Sequence, residues 1–352
     1  MYFLLNLLIV FVSSIILTPI VKKLAFKIGA TDKPNYRKVH QRIMPRLGGL
    51  AIFLAFVIGF ILINPQNEAA WPLLFGSIII IIVGVLDDIR ELSAKVKLLG
   101  QIAAALVVVL GGIQLEYINL PFGGQLEFGW LSIPMTVLWI VGITNAVNLI
   151  DGLDGLAAGV SSIALGTISL MALLDGNIFV MAIGMLLFAS VMGFLVYNFH
   201  PAKIFMGDTG ALFLGFAISV IALLGFKNVT MISLIIPIIV LGVPISDTFF
   251  AILRRFVNKQ PLSAPDKNHL HHRLLALGYS HKQTVLIIYA IAATFGMSAL
   301  IFSMSTVWGA VLVVGVMLIA IELFAESIGL VGKDYRPLMK LMRVRNARGE
   351  RF

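Results

Sequence analysis

The chain has 352 residues, 59% of them hydrophobic and only 12% charged, with a mean hydropathy of +1.01. A soluble domain of this size carries about a quarter charged residues, so the composition excludes an ordinary water-soluble globule and leaves a bundle of membrane helices. The lack of cysteine excludes disulfides and thiol chemistry, and the net charge of +9 suggests nucleic acid only until the charges are placed.

Residues 1–20 are apolar with no basic residue ahead of them, and Lys22 and Lys23 follow directly. A cleavable leader has a basic start and a small-residue cleavage site, so an uncleaved first span is expected. Apolar runs of about 16 to 20 residues, enough to cross with modest adjustment, predict spans near 2–21, 47–63, 71–86, 98–113, 131–149, 156–174, 178–197, 209–224, 231–253, 284–304 and 307–325. The expected fold is an all-α, polytopic transmembrane bundle of about eleven spans. It has one catalytic membrane domain over 1–325 and a basic cytoplasmic tail over 326–352. No internal repeat is apparent. Between the fourth and fifth spans, two alternating stretches flank Pro121-Phe122-Gly123-Gly124, which predicts a small outer β-hairpin near 114–130.

Basic residues orient the bundle. With the N-terminus outside and the C-terminus cytoplasmic, 25 of the 26 Lys and Arg fall on the inner side, and only Lys227 lies outside. An anionic inner leaflet accounts for that charge without nucleic acid. Trp71, Trp130 and Trp308 then fall at outer span ends, where an aromatic belt is expected.

The unusual polar residues all emerge on the inner face. Asp87-Asp88 ends the third span. Carboxylates beside an apolar run are costly, and at a helix C-terminus they also oppose the macrodipole. Two adjacent aspartates can share a divalent cation, or divide metal binding and proton transfer; a solvated helix end is the structural alternative. Asn145 and Asn148 share a helix face just before Asp151-Gly152 and Asp154-Gly155. A tight interhelix turn explains the glycines but not two amides one turn deeper, so a polar binding site is favoured. In Phe205-Met206-Gly207-Asp208-Thr209-Gly210, Asp208 reads either as a helix cap or as a metal ligand near a phosphate-holding helix terminus. His200 and Lys203 precede it. His269-Leu270-His271-His272-Arg273 suits an anionic diphosphate better than zinc, whose structural sites draw on two separated ligand pairs; a solvated loop is the alternative. A basic stretch at 32–40 runs on to Pro45-Arg46-Leu47-Gly48-Gly49 and reads largely as positive-inside anchoring. Asp247 lies inside the ninth span with Arg254 two turns inward, and its role is left open. Several carboxylates without a thiol suit a hard cation, Mg²⁺ or Mn²⁺.

Taken together, the segments DKPNYRKVH with PRLGG, LDDIRE, NAVNLIDGLDGLAAG, FMGDTG and NHLHHR, in that order over 32–273, make the chain resemble the polyprenyl-phosphate N-acetylhexosamine-1-phosphate transferases. The opening segment and the H-L-H-H-R cluster resemble the branch that uses UDP-GlcNAc, above all the members that start wall teichoic acid synthesis in Gram-positive bacteria. Relatives handling a muramyl-pentapeptide nucleotide typically carry three adjacent histidines, which this chain lacks. The resemblance implies transfer of GlcNAc-1-phosphate from UDP-GlcNAc to undecaprenyl phosphate with release of UMP, dependent on Mg²⁺, at the cytoplasmic face of a bacterial plasma membrane. It implies Asp208 as metal ligand with Asp88, and Asp87, Asp88, Asp208 and His271 as catalytic. Asn145, Asn148, Asp151, Asp154, Phe205, His269, His272 and Arg273 would bind substrate, and relatives suggest a homodimer. Another UDP-sugar such as UDP-MurNAc-pentapeptide is the near alternative. A transporter is the distant one, disfavoured because the ionisable groups gather at one face without repeat symmetry.

Overall fold

A computed structural model describes residues 2–32, 43–119, 124–226, 231–257, 259, 261, 268–330, 332 and 335–341. In chain order the elements are α1 (Tyr2–Ile28), β1 (Thr31–Asp32), β2 (Met44–Pro45), α2 (Gly48–Ile63), α3 (Ala70–Arg90), α4 (Ala94–Leu110), β3 (Tyr117–Asn119), β4 (Gln125–Glu127), a 3₁₀ turn (Gly129–Leu131), α5 (Ser132–Ile150), α6 (Leu156–Leu174), α7 (Ile178–Asn198), α8 (Gly207–Phe226), α9 (Met231–Val240), α10 (Gly242–Val257), α11 (Leu270–Ala276), α12 (His281–Ser303) and α13 (Val307–Ile328). The all-α membrane bundle expected from composition is what forms. Most of the basic 32–40 stretch, the Pro121–Gly123 tip and residues 342–352 lie outside the described residues.

Among the described residues eight helices are long and apolar enough to cross a bilayer: α1, α3, α5 with its preceding turn, α6, α7, α8, α12 and α13. The other three predicted spans differ. α2 and α4 hold 16 and 17 residues. The ninth, predicted as one helix over 231–253, is α9 and α10 joined at Leu241. Pro244 has no N–H to return to the Val240 carbonyl, while Leu241 and Ile245 still donate to the carbonyls of Pro237 and Leu241, both at 3.0 Å. The expected hairpin is present, with Tyr117 opposite Glu127 and Asn119 opposite Gln125 in β3–β4.

α8 is the central helix, with 89% of its most apolar window buried, against 6% for the peripheral α13. It packs against α2, α3, α5, α6 and α7. Glycines set how closely. A Cβ on Gly49 of α2 would fall on the Gly210 backbone, one on Gly84 of α3 on the Thr209 backbone, and α8's own Gly215 lies against Thr144 of α5. Without side chains at these points, backbones touch, which is how membrane helices gain packing where no hydrophobic drive exists between them.

The entry to α2 is stitched to the entry to α8. β1 and β2 pair antiparallel, Thr31 opposite Pro45, and Arg46 then bridges Phe205 in parallel. Phe205 N–H donates to the Pro45 carbonyl at 2.8 Å, Gly48 N–H to the Phe205 carbonyl at 3.0 Å, and Gly49 N–H to the Met206 carbonyl at 2.9 Å. Two segments about 160 residues apart in sequence thus form one ladder at the end of the bundle. At the tail, the fully buried Glu326 accepts the N–H groups of Leu338 and Met339 at 2.7 and 2.8 Å, which docks the chain at 338–339 onto α13.

A methyl at Gly49 has no space without separating α2 from α8, whereas Gly142 has nothing within 4 Å of its Cβ position. Gly49→Ala is expected to cost about 1–3 kcal/mol from overpacking, read as a lower melting temperature in detergent. Gly142→Ala is expected to melt like the wild type.

Candidate active site

Asp88 is the anchor of the polar end of the bundle. Its side chain is fully buried. Oδ1 accepts from Arg46 Nε at 3.1 Å and from the Asp208 N–H at 3.0 Å. Oδ2 accepts from the Thr209 N–H at 3.1 Å and the Thr209 hydroxyl at 2.6 Å. A carboxylate has about four lone-pair sites, and all four are engaged. The carboxylate therefore caps α8, although it belongs to α3, and Arg46, which also reaches Asp32 at 3.7 Å, balances its charge. Gly207, at φ +72°, lies so close to Asp88 that a side chain there would collide with the carboxylate. Asp88, expected as a metal ligand with Asp208, is instead committed to these four donors.

Asp87 points to a different neighbour. The chain leaves α3 through Glu91 in the left-handed region, φ +50°, and folds back so that the Leu92 N–H donates to Asp87 Oδ1 at 2.7 Å. Asp87 Oδ2 meets Lys97 Nζ at 3.3 Å, and the same ammonium meets Asp208 Oδ2 at 2.8 Å. The carboxylates of Asp87 and Asp208 are themselves within hydrogen-bonding reach of each other. Asn148 Nδ2 donates to the other Asp208 oxygen at 3.2 Å. Two acidic groups from different helices are thus held around one cation, with an amide fixing the rotamer of Asp208.

The signature loop after α5 lies beside them. Asp151 is pushed up to about 8, first by burial and then by the charges of Asp208, Asp88 and Asp154, so the folded loop holds a proton that an unfolded carboxyl releases near pH 4. Gly152 leaves just enough room for His271, whose Nε2 lies where a Gly152 side chain would be. His271 is 3% exposed; burial and the neighbouring His272 push its imidazole down to about 3, and its Nε2 is buried without a hydrogen-bond partner among the described residues. Arg273 Nε is likewise buried and unsatisfied. His272 packs against His271 with ring centroids 4.2 Å apart. Phe205, half-buried, is fixed through its backbone by the ladder with Pro45 and Gly48.

Two expected binding residues are placed differently. Asn145 exchanges hydrogen bonds with Gln101 of α4, at 2.6 and 3.3 Å, and donates to the Val141 carbonyl, so its amide joins α4 to α5. Asp154 turns away from Asp208: its Oδ2 binds His200 Nδ1 at 2.8 Å and the Ala202 N–H at 3.0 Å, and its own N–H donates to His281 Nε2 at 3.0 Å. The rings of His200 and His281 stack at 4.2 Å. Asp154 thereby ties the loop to the α7–α8 connection and to α12. Sequence reasoning singled out neither Lys97 nor Gln101, and gave Arg46 an anchoring role. The available signal for Lys97 was its position one helical stretch after an aspartate pair, which by itself is indistinguishable from positive-inside charge.

The family described as Glycosyl transferase family 4 matches residues 70–226, from α3 through α8. A probable undecaprenyl-phosphate N-acetylglucosaminyl 1-phosphate transferase of Bacillus subtilis (strain 168) is 52% identical over 329 residues, 93% of this chain and 92% of that protein. A decaprenyl-phosphate N-acetylglucosaminephosphotransferase of Mycobacterium tuberculosis (strain ATCC 25618 / H37Rv) is 34% identical over 84% of this chain and 83% of its own. A phospho-N-acetylmuramoyl-pentapeptide-transferase of Halalkalibacterium halodurans is 32% identical over 84% of this chain and 96% of its own.

Two outcomes follow from this geometry. Asp88→Asn puts an amide among donors and leaves Arg46 half-paired; breaking a buried pair costs about 3–5 kcal/mol, read as a large fall in melting temperature. Asp151 lowers stability as pH rises from about 4 toward 8, because the folded state binds the proton that the unfolded state has lost. In metal-free buffer, Asp151→Asn is therefore expected to gain on the wild type in melting temperature between pH 5 and pH 8, and a constant difference across that range would count against the assignment.

Proposed function

The chain belongs to the polyprenyl-phosphate N-acetylhexosamine-1-phosphate transferases, and on that premise we propose that it transfers GlcNAc-1-phosphate from UDP-GlcNAc to undecaprenyl phosphate, giving undecaprenyl-diphospho-GlcNAc and UMP. It is an enzyme, and it is a multi-pass membrane protein. The observation that supports the reaction best is the pairing of Asp87 and Asp208 around Lys97, beside a loop against which a neutral His271 sits with an unsatisfied buried nitrogen. Paired carboxylates with oxygen and amide neighbours suit a hard cation, and buried unsatisfied nitrogens on His271 and Arg273 suit an anion.

In the proposed reaction an oxygen of the lipid phosphate attacks the β-phosphorus of the nucleotide sugar, and the bond from that phosphorus to the UMP oxygen breaks. Such a transfer is mostly positioning and charge neutralisation. Asp208, with Asp87 beside it, would hold Mg²⁺ or Mn²⁺, which when bound offsets charge on the phosphates. Asn148 keeps Asp208 oriented. Lys97, which lies between Asp87 and Asp208, would offer its ammonium to a substrate phosphate. Asp87 needs no role as a base, because a phosphate monoester is largely dianionic near pH 7. Asp88 positions: it fixes the start of α8 and with it Asp208. Asp151 lines the nucleotide pocket, and Phe205 offers its ring to the uracil. His269, His271, His272 and Arg273 hold the diphosphate or the sugar.

The charge asymmetry supports a cytoplasmic position for this cluster, where nucleotide sugars are made. The lipid phosphate arrives from the bilayer, and the product would feed a surface glycan such as wall teichoic acid. Pairing of two copies, which the resemblance implies, is read from the mass of the detergent-solubilised protein.

The test is UMP release by purified protein in detergent with polyprenyl phosphate. UDP-GlcNAc with Mg²⁺ is expected to support release, EDTA to stop it and added Mg²⁺ to restore it. Asp208→Asn is expected to lose at least about a thousandfold, as when a main electrostatic contact is removed. Release from UDP-MurNAc-pentapeptide in preference to UDP-GlcNAc would replace the donor, and no release from any UDP-sugar would overturn the reaction.

A further inference from the structure

We infer that Asp247, a carboxylate inside the helix bundle, is a positioning residue of the transfer site, which holds His269 in its Nδ1–H form and leaves Nε2 as the ring nitrogen that serves the donor sugar. What His269 serves rests on the functional reading above; the tautomer is a property of the chain alone.

Asp247 lies on α10 and is 2% exposed. A carboxylate at that depth is costly without partners. Arg254, two turns further along the same helix, sends its guanidinium to the Leu330 carbonyl at 2.6 Å. Asp247 turns to α11 instead. Its Oδ1 accepts the Leu270 N–H at 2.8 Å, and its Oδ2 meets His269 Nδ1 at 2.9 Å. His269 occupies the N-cap position of α11 but makes no side-chain capping bond. The cap comes from Asp247, 22 residues earlier in the chain.

One carboxylate therefore does two things. It fixes where α11 begins, and so where the next turn delivers His271 against Gly152. It also fixes the ring of His269, which lies parallel to that of His271 within 4° at 6.1 Å. A carboxylate can only accept, so the proton between the two groups sits on His269 Nδ1. In the neutral ring Nε2 then carries a lone pair, suited to a hydroxyl or amide N–H of an N-acetylated sugar. The bonding partner of one histidine nitrogen sets the chemistry of the other.

Asp247→Asn separates the two jobs. The amide oxygen still caps Leu270, but the amide nitrogen now faces Nδ1 and donates to it, which drives the ring proton to Nε2 and reverses what the site offers. In full-length protein labelled with ¹⁵N-histidine, with His269 identified by its loss in His269→Gln, the shifts are expected to report Nδ1–H in the wild type and Nε2–H in Asp247→Asn. No turnover is needed for this measurement. In the UMP assay, Asp247→Asn is expected to lose about 10–100-fold in kcat/KM, the usual size when a histidine's orienting partner is removed. Its melting temperature should stay near that of the wild type, and Asp247→Glu is expected to recover part of the loss. Combining Asp247→Asn with His269→Gln is expected to lose no more than His269→Gln alone. An Nε2–H wild-type ring, an unchanged tautomer in Asp247→Asn, or fully additive losses in the double variant would each overturn the inference. A tautomer that switches as expected in a protein that releases no UMP would overturn the proposed reaction and leave the role of Asp247 standing.

Discussion

The carboxylate of Asp88 is held where three segments meet, and the polar end of the bundle is organised around it. By itself it stands in an unfavourable place, at the C-terminal end of α3, where the helix dipole repels a negative charge. The start of α8 reverses that balance: two backbone N–H groups and the Thr209 hydroxyl point at the carboxylate, and the positive end of a second helix dipole faces it. Arg46 supplies the counter-charge from the entry to α2. Burying a charge costs several kcal/mol, offset only when geometry is good and the lone pairs are filled. Here they are filled, and the result is a fixed start for α8.

That fixed start matters because Asp208 directly follows Gly207, where the backbone takes φ +72°. Its backbone is held by Asp88 and its side chain by Asn148 and Lys97. Asp87 and Asp88, adjacent in sequence, face opposite tasks because successive residues on a helix point about 100° apart. One is closed off among donors; the other reaches the lysine and the second carboxylate. Glycines at 49, 84 and 152 serve the same end: they allow backbones, or a backbone and an imidazole, to approach closely enough that the polar groups converge.

The histidine segment is brought in by different means. Beyond the turn at Leu241, α10 carries Asp247 to the base of α11. A buried carboxylate then does for α11 what Asp88 does for α8. In both cases a side chain from one helix caps another distant in sequence, which fixes the direction of the polar residues that follow.

Much of this could be read from the order of residues. The apolar runs define nearly every helix, since a segment that must satisfy its own backbone in lipid has almost no alternative. Asp87, Asp208, Asn148 and Asp151 stood out because polar groups at the ends of such runs are expensive, and His271 because it belongs to a cluster of three histidines in four residues. The division of labour among them did not. Asp88 and Asp87 are the same residue type in the same motif, and Asn145 and Asn148 share a face, yet in each pair one member joins helices and the other faces the site. Lys97 and Arg46 were hidden among inner basic residues that lipid alone explains. Asp154 carries the same Asp-Gly signature as Asp151 and faces the other way. The sequence by itself determined the bundle, the hairpin, the polar motifs and, through their order, the family, because hydropathy and motif spacing are local quantities. The tertiary structure alone decided which oxygen meets which donor, because the donors to Asp88 lie 42 to 121 residues from it and only packing brings them to 2.6–3.1 Å.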